Sequence, residues 1–316
     1  MPWMELSLDA TNEAVDWVGT LLAPTNYQID ICVDTYTPGD EAEPDWQNTI
    51  RLYLPCDMYV NTRRQEIENL LSPLQRTGLS TPIEIDVVDE KAAPPEVLSS
   101  ARRIGERFVV VSADVPYTSK AADEVTLILN KSMAFGSGLH PATMLALELL
   151  ERHVVPGMNA LDLGSGSGIL TVAIAKLGAR VLALDNDSIA VESTQDAVDI
   201  NGLKQQVTVM EGSLGRGSDL GHWMGGETIN NLPSIKATGT FDLIVANILA
   251  RVHVTLAPDY RQALRCTDAQ GGMLITAGFT HDYEEDITAS LQKQGFEVVD
   301  CARFNEWVAL ALRLKV

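Results

Sequence analysis

The run Leu161-Asp162-Leu163-Gly164-Ser165-Gly166-Ser167-Gly168 sets three glycines at alternate positions, where an apolar stretch gives way to helical spacing. Glycines there let the backbone turn sharply and approach a ligand closely, and free amides at a helix start favour an anionic group. The alternative is a tight strand-to-helix turn with no ligand. A dinucleotide fingerprint needs Gly or Ala at position 169, where Ile169 stands. Further on, Val181 to Leu184 delivers Asp185 at a strand end, where a carboxylate can accept hydrogen bonds from both hydroxyls of a ribose. Asp185 could instead cap the next helix, but Asp187 is the better cap. A third strand end, Phe241-Asp242-Leu243-Ile244-Val245-Ala246-Asn247, presents an Asn. Asn247 either offers its carbonyl to an incoming amine, the candidate catalytic role, or merely terminates the strand.

Other reactive side chains form no constellation. His153, His222, His253 and His281 show no metal-ligand spacing, and Cys32, Cys56, Cys266 and Cys301 lie apart without a Cys-x-x-Cys pair. No metal site or disulfide framework is expected, and the cysteines read as reduced and mostly buried. His140 alone lies inside a motif, where it either touches the active site or fixes a loop.

The pattern D-x-G-x-G-x-G resembles that of class I S-adenosylmethionine methyltransferases. Read with Met133-Ala134-Phe135-Gly136-Ser137-Gly138-Leu139-His140-Pro141-Ala142-Thr143 and with Ala246-Asn247-Ile248-Leu249-Ala250, it is similar to the ribosomal protein L11 methyltransferase family. The motifs span roughly residues 101 to 280. The amino-terminal portion matches through its Trp-x-Glu-Leu start, its element order and Ile104-Gly105-Glu106-Arg107. The resemblance implies a small module that recognises a ribosomal substrate, joined to a Rossmann-like catalytic domain. It implies S-adenosylmethionine as cofactor, with contacts at Thr143, Gly164, Asp185 and Asn247, and with Phe135 and Gly136 in the loop beside it. Gly166 and Gly168 complete the cofactor turn. The sequence also departs from the pattern: Asn130, Lys131 and Ser132 stand where Asp-Pro-Gly is usual, Ser137 replaces Thr, and Ala142-Thr143 replaces a Thr pair.

The elements that must position these residues fall into two groups. In the first, Trp3 to Leu8 reads as a strand, and Thr11 caps a helix in which Ala14, Val15, Val18, Leu21 and Leu22 recur at helical spacing. Ile29 to Val33 and Thr49 to Leu54 are strands on either side of the acidic turn Thr37 to Asp45. Thr62 to Gln75 is a helix with Ile67, Leu70, Leu71 and Leu74 on one face, and Pro82 to Val88 is a fourth strand. That order is the ferredoxin-like one. Asp89 to Glu96 reads as a linker.

In the second group, Arg107 to Val111 and Thr126 to Asn130 are strands, and Pro141 to Glu151 is a helix with Pro in its first turn. Ala160 to Leu163, Val181 to Leu184, Val207 to Met210, Phe241 to Val245 and Met273 to Ala277 are strands. Helices are expected at Gly168 to Lys176, Ile189 to Asn201, Pro258 to Cys266 and Glu284 to Gln294. Glu297 to Cys301 and Val308 to Leu314 close as a hairpin. The alternation predicts an α/β fold, a largely parallel sheet with helices on both faces. Ser213 to Thr240 is a long Gly-, Ser- and Asn-rich connection, read as an insertion.

The expected organisation is therefore residues 1–90 as a ferredoxin-like substrate-recognition domain, 91–130 as linker and lead-in, and 131–316 as the S-adenosylmethionine-binding catalytic domain. With 316 residues and 46% apolar content the chain can bury two ordinary cores. Its 43 acidic side chains against 23 basic ones, a net charge of -20, oppose nucleic-acid binding and suit a basic protein partner. The acid is concentrated in residues 1–100, with 18 acidic side chains against 5 basic. Without a long apolar run or a signal-like start, a cytoplasmic protein with no membrane association is expected. The leading function is methylation of protein amino groups, a lysine side chain or an N-terminus, in a large-subunit ribosomal protein. The alternatives are a methyltransferase for another protein or a small amine, and a cofactor-binding regulatory protein without turnover.

Overall fold

The computed structural model describes the chain except for residues 1, 23, 24, 26, 28, 37–45, 92–100, 115, 131–139, 216–232 and 268–270. The expected turn at 37–45, most of the expected linker and the loop holding Phe135 and Gly136 lie outside the described residues. Two compact units result: residues 1–101 with 131–140, and residues 102–130 with 141–316.

The first unit runs β1 (Trp3–Ala10), α1 (Asn12–Leu22), β2 (Asp30–Thr35), β3 (Asn48–Pro55), α2 (Val60–Arg76) and β4 (Glu84–Val88). Its antiparallel sheet has the order β2-β3-β1-β4, which is the ferredoxin-like arrangement. Strict alternation along β1 turns Met4, Leu6, Leu8 and Ala10 inward. They pack with Ala14, Val18 and Leu22 of α1 and with Ile67, Leu71 and Leu74 of α2. Thr11 caps α1 by accepting from the Ala14 amide at 3.2 Å. Pro73 sits inside α2 without an N–H to offer the carbonyl of Asn69, and that carbonyl accepts from Ser72 Oγ at 2.9 Å instead.

The second unit opens with a small sheet, β5 (Arg102–Ile104), β6 (Phe108–Ser112) and β7 (Val125–Leu129), so the residues read as a lead-in carry a strand, β5, that the sequence did not disclose. Next come α3 (Pro141–His153), β8 (Asn159–Leu163), α4 (Ile169–Lys176), β9 (Arg180–Asp185), α5 (Ser188–Ile200), β10 (Val207–Glu211), β11 (Ser213–Leu214), β12 (Ser234–Ile235) and β13 (Leu243–Asn247). The chain ends with α6 (Ala250–Ala263), β14 (Met273–Thr280), a short 3-10 turn, α7 (Glu284–Lys293), β15 (Phe296–Phe304) and β16 (Trp307–Leu314). The large sheet has the order β10-β9-β8-β13-β14-β16-β15, parallel from β10 to β14 and antiparallel at β16 and β15. Its inner strands are covered on both sides, and so they read as continuous apolar runs. Ala160, Leu243 and Val245 enter one core with α3, α4 and α5, while Leu161, Leu163, Ile244 and Ala246 enter the other with α6 and α7.

Two expectations, the start of the helix at Pro258 and the burial of the cysteines, need correction. The helix expected to start at Pro258 starts at Ala250, and Pro258 lies inside it. Pro258 has no N–H for the carbonyl of Val254 one turn back, and Ser290 Oγ on α7 supplies the donor at 3.3 Å. The connection Ser213 to Thr240 is anchored at both ends, because β11 pairs with β12 in parallel. The cysteines are free, but Cys266 and Cys301 are exposed and Cys32 and Cys56 only half-buried. Among the described residues no helix is long and apolar enough to cross a membrane.

Candidate active site

Strand order reverses on either side of β8, with β9 following it on one flank and β13 on the other. In an open parallel sheet the crevice at the carboxyl ends of such strands is where ligands bind. The turn from β8 to α4 runs through Gly164, Gly166 and Gly168, with φ of 78°, 54° and 81°. L side chains rarely adopt these values. At Gly168 packing reinforces the requirement, since a Cβ would lie 2.9 Å from Thr194 Cα on α5. The amides of Gly164 and Ser165 donate to the Leu184 carbonyl at 2.8 and 3.1 Å, which locks the turn against β9. Thr194 Oγ1 completes it, 2.9 Å from Ser165 Oγ and 3.0 Å from the Gly166 carbonyl.

Asp185 ends β9 and is buried. Its Oδ2 accepts from the Gly166 amide at 2.9 Å and its Oδ1 from the Asp187 amide at 3.1 Å. Burial pushes its pKa up to about 6, against the pull of those two N–H donors and of the Asn186 amide. A carboxylate offers about four lone-pair sites, so the group that braces the glycine turn can still accept from a ligand. Asp187 performs the separate task of capping α5, accepting from the Ile189 amide at 2.9 Å.

On the other flank, Asn247 ends β13 and Thr143 lies in the first turn of α3. Asn247 Nδ2 donates to Thr143 Oγ1 at 3.1 Å. The side chain is thereby tied to α3, and Asn247 Oδ1 is buried with no hydrogen-bond partner among the described residues. A buried acceptor in that state loses about 1–3 kcal/mol relative to a satisfied one, which a donor entering from a ligand would recover.

Two residues to which the sequence reading gave no role also belong to this region. Asp162, within β8, is fully buried; its Oδ2 accepts from Thr171 Oγ1 at 2.5 Å, and its Oδ1 has no partner among the described residues. Burial raises its pKa to about 7, with the charge of Asp185 adding to the effect. The visible signal is a carboxylate in an otherwise apolar strand. Ser213 follows β10 just after Gly212, whose amide donates to the Asp185 carbonyl at 2.8 Å, and Ser213 Oγ is buried without a partner among the described residues. His140 is buried, and desolvation lowers its pKa to about 4, so it is neutral near pH 7. Among the described residues no cluster of three or more His, Cys, Asp or Glu side chains is placed to hold a metal ion.

Four of the sequence-predicted residues thus gather as two linked pairs, Gly166 with Asp185 and Thr143 with Asn247, built on the ends of the two strands that flank β8. They present a carboxylate, a glycine-lined backbone and an amide oxygen. That set can receive a molecule carrying a diol and hydrogen-bond-donating nitrogen.

Comparison with known proteins gives a consistent result. The family described as ribosomal protein L11 methyltransferase (PrmA) matches residues 2–315. A ribosomal protein L11 methyltransferase from Chloroflexus aurantiacus is 39% identical over 325 residues, covering 98% of each chain. One from Herpetosiphon aurantiacus is 38% identical and covers the whole of both chains. A crystal structure of ribosomal protein L11 methylase from Lactobacillus delbrueckii subsp. bulgaricus superposes with a TM-score of 0.52 at 26% identity, covering 68% of this chain and 99% of that one.

Proposed function

The chain belongs to the ribosomal protein L11 methyltransferase family, and from that membership we propose that it methylates amino groups of ribosomal protein L11, using the crevice at Gly164–Gly168, Asp185, Thr143 and Asn247. It is an S-adenosylmethionine-dependent methyltransferase. The full-length similarity disfavours both a small-amine enzyme and a regulatory protein without turnover.

The donor set fits S-adenosylmethionine. Asp185 would hold the ribose hydroxyls, the glycine turn would accommodate the amino-acid portion, and the orphaned oxygens of Asp162 and Asn247 are acceptors suited to N–H groups. The bound cofactor supplies an activated methyl group on a sulfonium. What remains for the protein is alignment of a neutral amine with that methyl. Lysine has a free pKa near 10.4, and desolvation in a cleft lowers it, whereas carboxylate neighbours raise it. A neutral carboxamide is therefore the right partner for the amine: Asn247 Oδ1 can accept one N–H and turn the nitrogen lone pair without restoring the positive charge. The observation that carries this role is the Asn247 side chain held through Nδ2 by Thr143, with Oδ1 buried and without a partner among the described residues.

The first unit is the proposed docking module. Strand register puts Glu5, Asp9, Asp30, Asp34, Glu84 and Asp86 on the sheet face opposite the helices, together with Arg51. Lys91 pairs with Asp30 and lies 3.6 Å from the Trp3 ring centroid on the same face. Such a face suits a basic protein partner and is unsuited to nucleic acid, and cytoplasmic residence follows from a ribosomal substrate.

Incubation with methyl-labelled S-adenosylmethionine and purified large-subunit proteins tests the proposal. Label on lysine or N-terminal amines of L11 is expected, with KM for the protein rising as salt is raised. Label confined to another protein, or no label despite cofactor binding, would overturn it.

A further inference from the structure

Behind Asn247 lies a buried histidine that the site as described does not use. His253, in the first turn of α6, is 0% exposed. Its Nε2 is 2.9 Å from the carbonyl oxygen of Ala277 on β14. The same oxygen accepts from the amide of Ile248 at 3.0 Å, and Ala277 is the register partner of Asn247. One carbonyl therefore ties down the peptide that leaves Asn247, with both lone pairs in use. The close approach depends on Gly278, at φ of 90°, where a Cβ would lie 2.5 Å from the Ile248 oxygen and 2.7 Å from its nitrogen. The ladder between β14 and β16 is interrupted over these same residues, between Thr276 and Phe279.

The two ring nitrogens have different partners. The Ala277 carbonyl can only accept, so the N–H sits on Nε2, and Nδ1 is left as an acceptor facing Tyr260 Oη 3.4 Å away. Desolvation holds the imidazole pKa at about 4, so the ring is neutral and cannot act as a charge near the reaction. Phe279, a member of the buried apolar cluster on this side of the sheet, packs edge-on against the ring at 5.6 Å. An aliphatic side chain would fill this space without desolvating two ring nitrogens, so the imidazole is best explained by the N–H it directs at Ala277.

We propose that His253 is a positioning residue for methyl transfer: through Ala277 and Ile248 it holds the backbone of Asn247 from behind while Thr143 holds the carboxamide from the front. This rests on the reading of Asn247 as the group that orients the amine. Reacting atoms must be aligned closely, and a misplacement of about 1 Å can lower a rate about a hundredfold. The expected signature is a slower chemical step with nearly unchanged cofactor affinity.

The test uses the full-length enzyme, single-turnover methylation of L11 and calorimetric binding of S-adenosylhomocysteine. His253→Leu fills the space without an N–H and should slow turnover about tenfold or more, with cofactor Kd within about threefold. His253→Gln, which can place an amide N–H near the Nε2 position, should recover most of that loss. Tyr260→Phe removes only the hydroxyl that faces Nδ1 and supports the Nε2–H form, and should give a smaller, two- to fivefold loss. It supplies the test should the His253→Leu protein not fold. In combination with Asn247→Ala, neither variant should slow the reaction further. Wild-type rates in His253→Leu and Tyr260→Phe, a Gln variant no better than Leu, or additive losses in the double variants would overturn the inference. An Asn247→Ala enzyme at the wild-type rate would instead overturn the role of Asn247 itself.

Discussion

Replacing Asp185 by Asn separates the proposed ribose contact from a purely structural brace. The substitution keeps the shape but removes the charge, and it turns an amide NH2 toward either the Gly166 or the Asp187 amide, both of which now donate to the carboxylate. Two charge-assisted bonds to ribose hydroxyls, at about 1.5–3 kcal/mol each, set an upper range of roughly 3–6 kcal/mol. Cofactor Kd should therefore rise by about two to four orders of magnitude. The pH dependence gives an independent reading. Burial raises the Asp185 pKa to about 6, and ribose hydroxyls favour the ionised carboxylate. Binding must then release a proton below that pH, so wild-type affinity should weaken by up to about tenfold per unit as pH falls below about 6. The Asn variant should lack this slope. Calorimetric titration with S-adenosylhomocysteine from about pH 5 to 8, with circular dichroism to verify folding, measures both. Wild-type affinity in a folded Asp185→Asn protein, or an unchanged pH slope, would refute the assignment.

Asn247→Ala should lower turnover about tenfold to a thousandfold, the equivalent of about 1.4–4 kcal/mol in the transition state, as measured in single-turnover assays. Asn247→Asp keeps an acceptor but adds a charge that raises the amine pKa, so its rate should recover as pH is increased. Gly168→Ala should destabilise the fold by at least about 2 kcal/mol, from the left-handed backbone and the overlap with Thr194, and lower Tm by roughly 4–8 °C in calorimetric scans. Asp162 has a folded-state pKa of about 7 against an ordinary 3.8. The folded protein therefore binds more protons than the unfolded chain between about pH 4 and 7, and stability falls as pH rises through that window. Up to about 4 kcal/mol is at stake, and in urea titrations Asp162→Asn should flatten the slope.

Local spacing determined a good deal of this molecule. Alternation along β1 and the 3.6-residue repeat in α2 identify which faces are buried, because side-chain direction follows directly from backbone periodicity. The glycine turn and the capping of α5 by Asp187 were legible for the same reason: a strand end, a cap and a helix start lie within a few residues of one another. Pro258 misled because it is a strong local signal whose missing N–H is compensated by Ser290, a residue on another helix. Other features needed the assembled sheet. Thr143 and Asn247 meet across 104 residues of chain, and only the docking of α3 against the sheet turns two isolated polar residues into an oriented amide. The acidic face of the first unit exists because β2 and β4 flank β3 and β1 in register, which scatters its carboxylates through the sequence while gathering them in space. The proton affinity of Asp162 and the single tautomer of His253 depend on everything that excludes water around them. Sequence encodes short-range geometry directly, whereas dielectric environment and long-range pairing arise only when the whole chain has packed.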